Sequence, residues 1–259
     1  MKVERCILCS AKPPPPLTKE DIWPTWYSKM RPGATFQFEG TLAGRGHMSW
    51  PAKKLNLAPH VLCGECNNVW GSDLEDRQVK PFLSRMVDGN AHSLVLREMQ
   101  ALAAWLTLKL MVTETMGKDR PWFFTQDQRE HLRRKTRAPQ DAAIWIGDYG
   151  GARRRSGRFS DHRSHLALPE NLTQAHPALF CEFTIGQVLL QFFMIQGMAE
   201  RFASGVVLPP SLLERGNWST ALDQIWPLPS RPIGWPPKDA IGDKAFEALG
   251  ERWNQDEPE

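Results

Sequence analysis

Four of the five cysteines fall in two Cys-x-x-Cys pairs, Cys6-Ile7-Leu8-Cys9 and Cys63-Gly64-Glu65-Cys66. Each pair closes a bite that suits one metal ion, and together they supply the four thiolates that tetrahedral zinc takes. A site with four protein ligands has no open position for water, so the Zn²⁺ it implies is structural and any catalysis belongs to other residues. Cys181 stands alone in the apolar run Ala178-Leu179-Phe180-Cys181 and reads as a buried core thiol. His131, His162, His165 and His176 show no metal spacing with a third ligand.

Two features flank the knuckles. Four prolines, Pro13 to Pro16, force an extended spacer after the first pair, and Glu20-Asp21-Ile22-Trp23-Pro24 follows them. Asn67 follows the second pair without a gap. Over residues 6 to 76 this order resembles the zinc-containing HNH, or ββα-metal, endonucleases, which carry a knuckle, an acidic-His-x-x-Pro strand, a second knuckle and an Asn that opens the metal-binding helix. It is also similar to a bacterial group of HNH-like proteins, through Asn67-Asn68-Val69-Trp70, Leu74-Glu75, Lys80-Pro81, Leu102-Ala103-Ala104-Trp105, Thr184-Ile185-Gly186-Gln187 and Gln224-Ile225-Trp226-Pro227.

The resemblance implies that Glu20 and Asn67 hold one Mg²⁺ or Mn²⁺ against a scissile phosphate in DNA, the hard cation neutralising the charge that develops there. Asp21 stands where the family places its general-base histidine, and an ordinary aspartate is a far poorer base at neutral pH. Three outcomes follow. Asp21 serves as a further carboxylate ligand and the metal supplies hydroxide, or His47 or His60 from the intervening loop takes the base role, or hydrolysis is lost. Glu75, seven residues after Asn68, either reaches the metal site or pairs with Arg77 or Lys80. The expected function is therefore a metal-dependent endonuclease with Asp21, Glu20 and Asn67 as site residues, acting in phage defence or mobile-element biology. The alternative is a catalytically inactive zinc-stabilised module that binds nucleic acid or assembles into a larger complex.

Nucleic-acid contact needs local positive charge, because a net charge of +3 is too small for the whole chain to act as a polycation. Two segments supply it: Arg129, Arg133, Arg134, Lys135 and Arg137 crowd the first, and Arg153, Arg154, Arg155, Arg158 and Arg163 the second. Arg31, Arg45, Lys53 and Lys54 add to it between the knuckles. An acidic protein partner is the competing reading. The eleven tryptophans lie mostly in apolar or proline-flanked settings, where core packing outranks base stacking.

The elements that must position these groups follow from length and pattern. At 259 residues, 41% hydrophobic and 24% charged, the chain has room for two unequal folded units. The expected class is α+β: a small zinc-bound HNH-like domain over residues 1–90, then a mixed, mainly helical domain with a β-hairpin over 91–259, divided at the turn Asp88-Gly89-Asn90. The 53 residues between Cys9 and Cys63 imply a looped-out insertion, with Phe36-Gln37-Phe38 pointing to a hairpin or long loop. Apolar residues spread round the helix 93–116, which marks it as buried, though Arg97, Glu98, Lys109 and Glu114 exclude a membrane span. A basic helix over 126–137, a hairpin from Ala142 to Leu168, a strand from Ala178 and a second buried helix over 186–203 complete the expected core. A proline-punctuated tail leads to an amphipathic segment from Asp239 to Trp253. The charged start Met1-Lys2-Val3-Glu4-Arg5 has no apolar stretch behind it, so a cytoplasmic protein is expected.

Overall fold

The structure, a computed structural model, describes residues 3–9, 15–32, 36–42, 46–53, 57–117, 121–151, 157–168, 171–197 and 221–246. Arg45, Lys54, Arg153, Arg154 and Arg155, residues 198–203 of the expected second helix and residues 247–253 of the expected amphipathic segment lie outside them. The class is mixed α and β, built on one long buried helix and one large sheet.

The knuckles lie on a small unit. Strand β1 (Leu17–Lys19) pairs antiparallel with β4 (His60–Cys63), Leu17 opposite Cys63 and Lys19 opposite His60. A helical run follows β4 at once, π-wound over Glu65–Gly71 and Asp73–Val79 and α-helical over Lys80–Met86 (α2), with Pro81 near its start, where a missing N–H costs nothing. The short helix α1 (Thr25–Lys29) lies between β1 and the chain that leads away.

The stretch between the knuckles is a hairpin, β2 (Phe36–Leu42) and β3 (Gly46–Ala52), and it is not looped out alone: β2 lies parallel to β7 and extends the large sheet. That sheet runs β10-β6-β9-β8-β7-β2-β3, with β12 also on β6. Its centre runs β6 (Ala142–Tyr149), β9 (Val188–Ile195), β8 (Asn171–Ile185) and β7 (Gly157–Leu168), each antiparallel to the next, so the hairpin expected from Ala142 to Leu168 does not form: β9 and β8 lie between its two strands and take up their edges.

Here the expected second buried helix, and with it a mainly helical C-terminal half, is corrected. Gly186 and Gln187 form a two-residue hairpin loop between Ile185 and Val188, and Gly186 takes φ +61°, open to glycine and strained for other residues. The run Val188-Leu-Leu-Gln-Phe-Phe-Met-Ile195 is a strand buried at every position, because both faces of the sheet are covered. A strand buried on both faces loses its alternation and cannot be told from a buried helix by periodicity.

Helix α3 (Leu96–Thr113) packs its length into the core, as its all-round apolar pattern requires. The Glu98 carboxylate accepts the Val95 N–H at 3.1 Å, which satisfies one free donor of its first turn. Helix α4 (Gln126–Lys135) begins at Thr125, whose hydroxyl accepts the Gln128 N–H. The tail adds β10 (Leu222–Trp226) and β12 (Ala240–Ile241) to β6, while β11 (Ile233–Trp235) pairs with β5 (His92–Leu94).

Residues on both sides of the 88–90 turn share one hydrophobic cluster. Trp23, fully buried, stacks on Phe183 at 5.3 Å and donates its indole N–H to the Thr184 carbonyl at 2.9 Å. Trp105 meets the edge of the same ring at 5.6 Å. Helix α3, β8 and the segment after β1 thus close on one another just beside the knuckles. Among the described residues, no helix is long and apolar enough to cross a membrane.

Candidate functional site

The first knuckle is a loop ahead of β1, tied to β4 by the Ile7 N–H on the Val61 carbonyl at 3.0 Å. The second begins at the last residue of β4 and ends on the first turn of the π-wound helix. This strand-to-helix step turns Cys63 and Cys66 toward Cys6 and Cys9, and the four sulfurs lie within 4.8 Å of one another. The Cys9 and Cys63 sulfurs are 3.7 Å apart. A disulfide needs about 2.05 Å, whereas zinc–sulfur bonds of about 2.3 Å at tetrahedral angles set the sulfurs about 3.8 Å apart. The Cys9–Cys63 spacing is that of two ligands on one tetrahedral ion and not of a disulfide. Cys6, Cys63 and Cys66 are buried and Cys9 is half-buried, as a structural site demands.

The Cys6 and Cys66 thiols drive each other's titration apart. Cys66 hydrogen-bonds Cys6, which pulls the Cys6 thiol down to about 4 despite its burial, and the same contact pushes the Cys66 thiol up. A buried cluster carries several thiolates only when positive charge compensates them, and a divalent metal supplies that. These residues therefore fit a tetrahedral ion such as zinc.

Beside the cluster, Asn67 reaches back from the helix to β1. Its side-chain amide donates to the Thr18 hydroxyl at 2.9 Å and to the Lys19 carbonyl at 2.6 Å, joining the helix to β1. The expected helix start at Asn67 moves upstream, since the helical winding already includes Glu65 and Cys66. Glu20 follows β1, and its carboxylate meets an unexpected cation, the Lys109 ammonium from the middle of α3, at 2.6 Å. Lys109 also pairs with Glu75 at 2.9 Å and donates to the Asp21 carbonyl at 2.7 Å. The indole N–H of Trp105 completes the Glu75 carboxylate at 3.1 Å. Arg77 and Lys80 pair instead with Asp73 and Asp76.

Lys109 is 1% exposed. Burial alone pulls its pKa down, but the Glu20 and Glu75 carboxylates outweigh it and hold the ammonium charged, above its ordinary value. Burial pushes Glu20 up, with Lys109 opposing. Asp21 is half-buried, and its carboxyl also rises through burial, against the pull of Lys109. A Mg²⁺ or Mn²⁺ held by Glu20 and Asn67 does not fit this donor set. An ammonium already holds the Glu20 carboxylate, repels a second cation, and is itself too deeply buried to leave.

Of the alternative bases, His60 is exposed on β4, and His47 sits on β3 opposite Thr41 in the large sheet. The basic residues divide. Arg129 is buried in an ion pair with Glu114, and Arg163 pairs with Asp161 at 3.1 Å and Glu114 at 3.6 Å. Arg133 pairs with Glu65 at 3.3 Å and pulls the Cys66 thiol down, against the Cys6 contact and burial that raise it. Arg158 lies over the Phe246 ring at 4.1 Å. Arg134, Lys135 and Arg137 are exposed at the end of α4. Their joint field is felt at His131, whose pKa is lowered first by burial and then by Lys135, Arg134 and Arg137.

No family model, curated protein or solved structure matches the chain. Lys109 is the site residue that motif reading misses. Its signal was a lone lysine in a helix apolar all round, which requires a buried acidic partner.

Proposed function

We propose that the chain is a zinc-organised, HNH-like module that binds nucleic acid and has given its catalytic-cation position to Lys109. The observation that carries this reading is the Lys109 ammonium between Glu20 and Glu75, at 2.6 and 2.9 Å. The β1–β4 pair, the helix after Cys63 and the Asn67 bonds to β1 support the ββα resemblance. In this arrangement the residues at the family's metal positions hold the unit together rather than a cation. The zinc sets the two knuckles, and the exposed end of α4 offers Arg134, Lys135 and Arg137 to phosphates.

A second reading, phosphodiester hydrolysis at Asp21, is favoured by one observation: the Asp21 carboxyl is half-buried and raised, which brings it closer to a useful base at neutral pH.

Three measurements test the first reading, and the last separates it from the second. Metal analysis is expected to find about one zinc per chain, lost in Cys63→Ser. Fluorescence anisotropy is expected to show duplex binding that weakens with salt, with a shallower slope in Arg134→Ala/Lys135→Ala. Supercoiled plasmid is expected to stay intact with wild type in Mg²⁺ or Mn²⁺. Nicking by wild type that disappears in Asp21→Ala and Asn67→Ala overturns the first reading in favour of the second. Failure to bind DNA removes the nucleic-acid part and leaves complex assembly.

A further inference from the structure

Arg133 lies far from every cysteine in sequence, yet its guanidinium meets the knuckle from three directions. It pairs with Glu65, the residue before Cys66, at 3.3 Å, lies over the Trp70 ring at 5.6 Å, and pulls the Cys66 thiol down against the larger effects that raise it. The side chain is 28% exposed, less than Arg134 beside it at 70%. A planar, weakly hydrated guanidinium suits this place: one nitrogen faces a carboxylate, the flat face covers an indole, and further N–H donors remain for a thiolate beside them.

The backbone around Arg133 is fixed to the same helix. The Trp70 indole donates to the Thr136 hydroxyl at 3.2 Å, and Gln100 from α3 donates to the Thr136 carbonyl at 3.4 Å. Thr136 ends α4 in the left-handed conformation, φ 49° and ψ 48°, which is unfavourable for a β-branched residue. The bonds from Trp70 and Gln100 hold that strained cap in place, and the cap sets the last turn of α4, Arg133 included, against Cys66.

Four thiolates around one Zn²⁺ leave a net charge of −2 in a mostly buried site. A charge-assisted hydrogen bond to a ligand sulfur disperses that charge and orients the ligand, as outer-shell partners of metal sites do. We propose that Arg133 is a positioning residue of the zinc centre, donating to the Cys66 thiolate, and so belongs to the metal site rather than to a phosphate-binding face. The proposal rests on the zinc part of the reading above.

Zinc affinity, measured by competition with a chromogenic chelator, is expected to fall about 10- to 100-fold in Arg133→Ala. In the Co²⁺-substituted protein, loss of the donor raises the energy of the sulfur electrons, so the thiolate-to-cobalt band moves to longer wavelength. Arg133→Lys, which keeps a charged donor, restores part of both. Arg77→Ala removes an equally charged but exposed side chain of the knuckle helix and is expected to leave both unchanged. The near-ultraviolet circular dichroism of the zinc-saturated variants checks folding, and Arg133→Gln, a neutral donor, stands in if Arg133→Ala does not fold. Wild-type zinc affinity and an unmoved cobalt band in Arg133→Ala overturn the proposal, as does a pure loss of DNA affinity with the salt slope reduced by about one. A wild-type protein that takes up no zinc sinks the zinc reading itself, a result distinct from equal affinity in wild type and variant.

Discussion

Lys109→Met removes the cation at the centre of the acidic cluster while keeping most of the side-chain volume. Glu20, with a side chain 10% exposed, and Glu75, at 20%, then face each other without a counter-charge. Breaking a buried ion pair by removing one partner costs about 3–5 kcal/mol. Glu75 keeps its bond from Trp105 and some contact with water, so most of the loss falls on Glu20. Against a total stability of about 5–15 kcal/mol, that is enough to see in urea denaturation of the zinc-loaded protein. Glu20→Gln in the Lys109→Met background removes the stranded charge and is expected to recover a large part of the loss, a coupling of about 1–3 kcal/mol. The sign of the pH dependence is fixed too. Burial already raises Glu20, and removing Lys109 takes away the pull that opposes it. A carboxyl with a higher pKa folded than unfolded binds a proton on folding, so its contribution is complete below the unfolded value and is lost as pH rises through the folded one. The Lys109→Met defect is therefore larger at pH 8 than at pH 5. A loss under about 1 kcal/mol, or a defect that grows on acidification, refutes the buried ion-pair account.

Glu182, 1% exposed on β8, accepts from Gln191 at 3.1 Å and Ser160 at 3.3 Å, and burial pushes its carboxyl up to about 8. Its ionisation opposes folding, so wild type is expected to lose stability relative to Glu182→Gln as pH rises through about 8; a difference in urea midpoint that stays constant from pH 6 to 9 refutes this. Gly186→Ala places a Cβ 2.3 Å from the Val87 carbonyl oxygen at a positive φ, and a loss of more than about 2 kcal/mol is expected in thermal unfolding. An unchanged Tm would show that the β8–β9 loop is not held in that conformation.

How far the fold could be read depended on whether the deciding interaction was local. The buried α3, the basic α4 and the strand from Ala142 follow from pattern within a few residues. The strand at 188–195 did not, because covering both faces of a sheet erases the period of two on which a strand reading depends. The local clue was Gly186-Gln187, a two-residue loop between apolar runs, which favours a hairpin over the interior of a helix. The β2–β3 hairpin was legible as a hairpin, but its seat beside β7 is a non-local parallel pairing that neither strand's residues encode alone.

The four-cysteine cluster was legible because metal ligands come in fixed spacings, and the geometry joins both pairs at one point. The residues around it were not, because their roles depend on partners far along the chain. Glu20 and Lys109 are separated by 89 residues, and Arg133 stands 68 from Glu65. Composition alone groups Arg133 with Arg134 as phosphate contacts, yet the two face different ways: one is drawn to the thiols and the other to water. The physical constraint that does carry over is compensation. A lysine within an apolar helix and a buried carboxylate just after a short strand each need a partner, and the least costly arrangement of the two is with each other. The same pairing bears on catalysis. A carboxylate already bonded to a buried ammonium attracts a divalent cation weakly, so replacing Asp21 with histidine, the residue that HNH endonucleases carry, while Lys109 stays is not expected to create a metal-dependent site.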